Sequence, residues 1–400
     1  MSVLGIVAEY NPFHNGHLYH IKASKLAVPD SQVVVIMSGS FTQRGETAIF
    51  DKYSRAYMAL ENGADIVIEL PVYYAVSSAE YFSSAAVKLM NATGIVTHIS
   101  FGSESGDLEQ IRLTAKTLIE NSETINQMTN KFMSEGMPYF TSRERSLTSI
   151  LRISKDFIRQ PNHILAIEYV KTLEQTHSGI IPVTVKRSGL GYHETASALR
   201  RGIMAKGYQS LTDSMPENAF AISLNHLSQY GASDISRLDD ILFYLLKTKP
   251  LSEIKELLDM NDGVAERFVK LCGSHSSFNE LLNAVKTKRF AYARLRRAAA
   301  HLLLDIRRDT FDMYNETGGP RYIRVLGFRK ESAGLLGEMT KCAALPVITD
   351  LTKAKGVLDD TGMAMLNKDI KSTDIYYMSC DNKKNTHSIN HEYYRRIIVV

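Results

Sequence analysis

The chain has 400 residues, 44% hydrophobic and 22% charged, with a formal net charge of +4 at pH 7. That length exceeds one ordinary core, so two or three domains are expected, and the absence of any apolar run of 18 residues excludes a membrane-spanning helix. The opening MSVLGIVAEY lacks the basic region and cleavage site of a secretory signal, which makes a cytoplasmic protein the expectation, and Cys272, Cys342 and Cys380 are too scattered for a disulfide framework or a zinc site.

Residues 1–205 alternate strand and helix. Short apolar or β-branched runs at Leu4–Val7, Val33–Met37, Asp65–Leu70, Val96–Phe101 and Ile181–Lys186 predict strands, with helices over His17–Leu26, Lys52–Asn62 and Ser78–Asn91 between them. The strands are hydrophobic almost throughout, as in a parallel sheet buried on both faces, and the alternation predicts a doubly wound α/β domain of Rossmann-like form. Residues 206–315 carry apolar spacings of three and four and predict a helical domain. Its helices fall at Ile235–Lys247, Leu251–Leu258, Gly263–Leu271, Phe278–Thr287 and Tyr292–Asp309. After Thr317-Gly318-Gly319-Pro320, residues 316–400 read as a small α/β C-terminal subdomain, with a strand at Tyr322–Phe328, a helix near Ser332–Thr340 and a strand at Ala344–Ile348.

The first strand runs into Glu9-Tyr10-Asn11-Pro12-Phe13-His14-Asn15-Gly16-His17, and a helix follows. Asn11 and Pro12 shape the exit from the strand, and Gly16 lets a phosphate or purine lie close to the backbone. A helix start offers free N–H groups and the positive end of its dipole. His14 and His17, three apart, project to one side and donate to charge developing on a phosphate. A metal pair is less consistent, because no third ligand is evident and the HExxH pattern is absent.

His14-Asn15-Gly16-His17 resembles the HxGH signature of the HIGH-type nucleotidylyltransferase superfamily. A longer set of motifs is similar to one family within it, the tRNA(Met) cytidine acetate ligases. The set comprises Val7–His20, Met37-Ser38-Gly39-Ser40-Phe41-Thr42-Gln43-Arg44-Gly45-Glu46, Ala64–Pro71, Phe101-Gly102-Ser103-Glu104, Pro161–Leu165 and Lys186-Arg187-Ser188. The resemblance implies that acetate attacks ATP, giving acetyl-adenylate and pyrophosphate. The acetyl group then passes to N4 of the wobble cytidine of elongator tRNA(Met).

On this resemblance residues 1–205 are the ATP-binding catalytic domain, and His14 and His17 stabilise the transition state. The ATP pocket would be formed by Val7, Ala8, Glu9, Tyr10, Asn11, Pro12, Phe13, His14, Asn15, Gly16, His17, Leu18, Tyr19 and His20, with Gly102, Asn162, Arg187 and Ser188. The superfamily's second phosphate motif is matched by Thr195-Ala196-Ser197-Ala198-Leu199-Arg200, with Ser197 and Arg200 suited to phosphate oxygens. Only Glu194 separates that motif from Gly191-Tyr192-His193, a short lead-in. Mg²⁺ carried by the ATP phosphates is expected on chemical grounds, without an acidic pair to mark its ligands.

Lys286-Thr287-Lys288-Arg289-Phe290-Ala291-Tyr292-Ala293-Arg294-Leu295-Arg296-Arg297 holds six basic residues and two aromatics. Lys286, Lys288, Arg289, Arg294, Arg296 and Arg297 are candidates for the tRNA backbone, and the aromatics for stacking on unpaired bases. A solvated face on a core helix gives the same composition. The competing function is a small-molecule adenylyltransferase acting on a pantetheine-phosphate or nicotinamide-mononucleotide substrate, which shares the histidine motif. Such enzymes need little beyond the N-terminal domain.

Overall fold

The computed structural model describes every residue except 152–153, 188–195, 206–210 and 383–388, and all side chains outside those segments but 139, 140 and 155. Its centre is a single eight-stranded sheet. The strands are β1 (Val3–Ala8), β2 (Gln32–Ser38), β3 (Ile66–Leu70), β4 (His98–Ser103), β5 (Ile181–Lys186), β6 (Ile323–Phe328), β7 (Val347–Ile348) and β8 (Ile398–Val399). Their order is β5-β4-β1-β2-β3-β6-β7, with β8 also on β6. The first five strands are mutually parallel. The chain builds outward from β1 through β2 and β3, then returns to the other side of β1 for β4 and β5. The connections therefore diverge between β1 and β4, and the carboxyl ends of strands at such a switch point are where these sheets bind ligands.

The strands are apolar on both faces because helices cover both: Val33, Val34, Val35 and Ile36 are all fully buried. β4 lies two residues later than expected. The Thr97 hydroxyl accepts from the Val3 amide at 2.9 Å, and pairing of Gly102 with Val185 and Ser103 with Lys186 carries the strand past its apolar run. Among the described residues, the crossover from β4 to β5 holds five helices that the sequence periodicity left unread, from Leu108–Glu120 to Pro161–Gln175.

The helical region has its own core, including Leu242, Phe268, Leu281, Leu295 and Leu302. The expected helix Tyr292–Asp309 is broken: Tyr292–Leu304 ends at Asp305, whose φ is +50°, and Arg308–Glu316 follows. The described residues of 316–400 form no sheet of their own. β6 pairs antiparallel with β3, and β7 and β8 lie along its other edge. A buried ionic cluster fastens this segment to the sheet. Lys52 and Arg324 both pair with Glu69 of β3, at 2.7 and 2.9 Å, and both also pair with Glu392.

Candidate functional site

The turn after β1 is held from beneath by packing and from the side by a guanidinium. Tyr10 and Phe13 are buried in the core below it, with ring centroids 4.8 Å apart, so neither lines an open pocket. The Asn11 side chain accepts from the Ile49 amide at 2.7 Å. Arg55 is fully buried and donates to the Glu9 carbonyl at 2.6 Å, to the Ser38 carbonyl at 3.0 Å and to that of Gly39. It ties the ends of β1 and β2 together by hydrogen bonding carbonyls that would otherwise be buried without partners. Sequence reading missed Arg55. Its signal is a charge three residues from Lys52 on the otherwise apolar face of the helix Lys52–Glu61.

The helix Asn15–Ala27 begins in a capping box made of two histidines. The Gly16 amide donates to His14 Nδ1 at 3.0 Å, and the His14 amide donates to His17 Nδ1 at 3.2 Å. The rings stack with centroids 3.8 Å apart and planes at 21°. Gly16 is required by this cap, since a Cβ there would stand 2.9 Å from the His14 ring. The glycine makes room for imidazole, where the sequence suggested room for ligand.

A second expectation is also corrected. The first-turn amides are engaged rather than free: Asn15 donates to the Ser214 carbonyl at 2.9 Å, Gly16 to His14, and His17 to the His14 carbonyl at 2.8 Å. The donors left at this turn are the imidazoles. Each Nδ1 accepts an N–H, so in the neutral ring the proton sits on Nε2. Burial and the charge of Arg187 push His14 down to about 4. Burial, then the neighbouring His14, His20 and Arg187, hold His17 well below the usual imidazole range. At neutral pH the pair presents two Nε2–H donors without carrying charge.

The remaining candidates divide. Val7 and Ala8 are strand residues at the end of β1, and Leu18 packs partly on the core. The Asn15 side chain donates to the Asp213 carbonyl at 2.9 Å, away from the imidazoles. His20 meets the Ser100 hydroxyl at 3.2 Å. Arg187 follows β5, its side chain beside Gly102 at the end of β4 and its charge felt by His14, His17 and His20. Asn162, in the first turn of Pro161–Gln175, donates to Glu104 at 2.6 Å. Arg200 donates to the Asn11 carbonyl at 2.7 Å and to Ser197 Oγ at 3.2 Å, so the second motif stands against the first despite its short lead-in. Ser188 and the lead-in itself lie outside the described residues.

In the basic segment Phe290 is buried in the helical core, and Tyr292 is half-buried between Lys286 and Arg296. Three of the six cations have acidic partners within the chain. Arg294 pairs with Asp262 at 3.0 Å, Arg297 with Asp259 at 3.0 Å, and Arg296 with Glu46. Lys286, Lys288 and Arg289 are exposed and have no acidic partner among the described residues. No helix among the described residues is long and apolar enough to cross a membrane.

Residues 1–392 match the HIGH Nucleotidyl Transferase family. The chain is 38% identical over 394 residues to the tRNA(Met) cytidine acetate ligase of Thermoanaerobacter sp. (strain X514), covering 96% of each protein. It is 34% identical to that of Clostridium perfringens, covering 94% of this chain and 95% of the relative. Its fold is similar to the crystal structure of Thermotoga maritima TmcAL bound with alpha-thio ATP, with a TM-score of 0.94 and 31% identity over the whole of both chains.

Proposed function

The chain belongs to the tRNA(Met) cytidine acetate ligase family of HIGH nucleotidyl transferases, and we infer that it activates acetate with ATP and delivers the acetyl group to N4 of the wobble cytidine of elongator tRNA(Met). The observation that carries this reading is the stacked pair His14 and His17, two neutral Nε2–H donors fixed at the carboxyl end of β1. An acetate oxygen attacks the α-phosphorus, the bond to the β-phosphate oxygen breaks, and pyrophosphate leaves. Charge grows on the α-phosphate oxygens in that step, and fixed donors aimed there lower its barrier without reorganising. Arg187 and Arg200 suit the departing phosphates, because a guanidinium donates to two phosphate oxygens at once. Glu9, Tyr10, Asn11 and Phe13 then act as the frame of the turn rather than as contacts to the nucleotide.

In the second step the cytidine N4 attacks the acetyl carbonyl. AMP leaves, and the N4 proton is lost to solvent or base. No covalent bond to the protein is needed, because acetate is itself the nucleophile. Mg²⁺ enters this reading as a companion of the triphosphate. Among the described residues no group of three or more His, Cys, Asp or Glu is placed to hold a metal ion. Exposed Lys286, Lys288 and Arg289 are the proposed contacts to the tRNA backbone, with residues 206–315 as the RNA-facing domain. Pyrophosphate release from ATP across a panel of carboxylates tests the reading. Acetate-dependent release, followed by acetylation of added tRNA, is expected. Release that required phosphopantetheine or nicotinamide mononucleotide would overturn it.

A further inference from the structure

The loop Gln43-Arg44-Gly45-Glu46 touches both the histidine turn and the basic helix. It is closed on itself: the Thr42 amide donates to the Glu46 carbonyl and the Gly45 amide to the Thr42 carbonyl, both at 2.9 Å. On one side the Gln43 amide donates to the Glu9 carboxylate at 2.8 Å, at the exit of β1. On the other, Gly45 has φ +71° and lies on the backbone of Arg296, whose carbonyl carbon would be 2.5 Å from an added Cβ. The Glu46 carboxylate stands between two guanidiniums. One oxygen pairs with Arg296, and the other lies 3.8 Å from Arg200. The charge of Arg44 acts on both arginines, and the Glu9 carboxylate acts, of the two, on Arg200 alone.

We propose that Glu46 is a positioning residue shared between Arg200 on the phosphate side and Arg296 on the RNA side, so that the triphosphate and tRNA oppose each other's binding until pyrophosphate leaves. The proposal rests on the function inferred above. Glu46 is the carboxylate that stands between the two guanidiniums, and it cannot fully compensate both at once, although Glu9 also acts on Arg200. A triphosphate drawn to Arg200 repels Glu46 and commits it to Arg296, which then has less charge to offer an RNA phosphate. An RNA phosphate at Arg296 returns Glu46 to Arg200. Linkage makes the two effects equal in size. When pyrophosphate departs, Arg200 recovers Glu46 and Arg296 is released, so the tRNA engages most firmly when the adenylate has formed.

The test is tRNA affinity with and without a non-hydrolysable ATP analogue, in the unsubstituted chain and in Glu46→Gln. The analogue should weaken tRNA binding by about 5-fold or more in the former, the low end of typical coupling. In Glu46→Gln the two affinities should coincide. Equal sensitivity to the analogue in both proteins, or none in either, overturns the coupling. Acetate-dependent pyrophosphate release, measured on the same samples, separates the outcomes. Its absence from the unsubstituted chain would strike the function itself, whereas its presence with uncoupled binding strikes only the role of Glu46.

Discussion

The histidine turn and the basic helix were both marked by residue type and spacing, yet they are finished in opposite ways. At the turn, backbone amides occupy Nδ1 of both imidazoles and leave Nε2 as the donor, so local hydrogen bonding prepares the groups for a ligand. On the helix, pairing with acids from other elements does the reverse. Arg294 and Arg297 are engaged by acids of the same chain and withdrawn from any partner, while Arg296 is held by Glu46, a carboxylate that also faces Arg200. A motif whose members bond to one another carries its geometry with it. A run of charge does not, because its neighbours in space come from elsewhere in the chain.

The sharpest break in this comparison is His17→Ala. Removing one fixed donor to a developing oxyanion costs about 10²–10³ in rate, so acetate-dependent pyrophosphate release should fall by that factor while tRNA affinity holds. A parallel loss of tRNA binding would mean that the turn organises the RNA surface as well. Gly45→Ala attacks the seam between the two regions. Positive φ and the collision with Arg296 should together lower stability by about 1–3 kcal/mol, read from denaturant midpoints. An unchanged midpoint would show that the loop is not seated on the helix.

Replacing Lys286, Lys288 and Arg289 together should reduce the slope of log affinity for tRNA against log salt by about one for each RNA phosphate that is no longer neutralised. The same change at Arg294 and Arg297 should leave the slope nearly intact and act on stability instead. Equal slopes for the two variants would contradict the division of the basic run. The last effect is with pH. The folded state disfavours protonated His14, whose pKa is lowered to about 4, while the unfolded chain takes up that proton near 6.5. Stability should therefore decline as pH falls from 6.5 towards 4, and His14→Gln should flatten the decline. A histidine-dependent rise in stability over that interval would mean that the imidazoles are charged in the folded protein.

The parallel sheet, its order of elements and the position of the turn were legible because buried strands and a strand-turn-helix motif are local patterns. The placement of residues 316–400 was not. β6 pairs with β3 across more than 250 residues of chain, and Arg324 finds Glu69 only through that pairing. The crossover helices escaped because their apolar faces are interrupted by polar residues, as in Ser122–Ser134, where only Ile125 and Thr129 are buried. Within the site, His14, His17 and Arg200 were found by motif. Arg55 and the two-sided role of Glu46 depend on contacts between distant elements that spacing alone does not report.

The central claim, that the histidine turn makes an acetyl-adenylate for transfer to RNA, is met most directly by a single-turnover experiment with labelled acetate. Protein, ATP and labelled acetate without tRNA should yield bound acetyl-adenylate and one equivalent of pyrophosphate, and added elongator tRNA(Met) should then take the label as N4-acetylcytidine while AMP appears. Failure to form the adenylate, or an adenylate whose label never reaches the tRNA, would contradict the account.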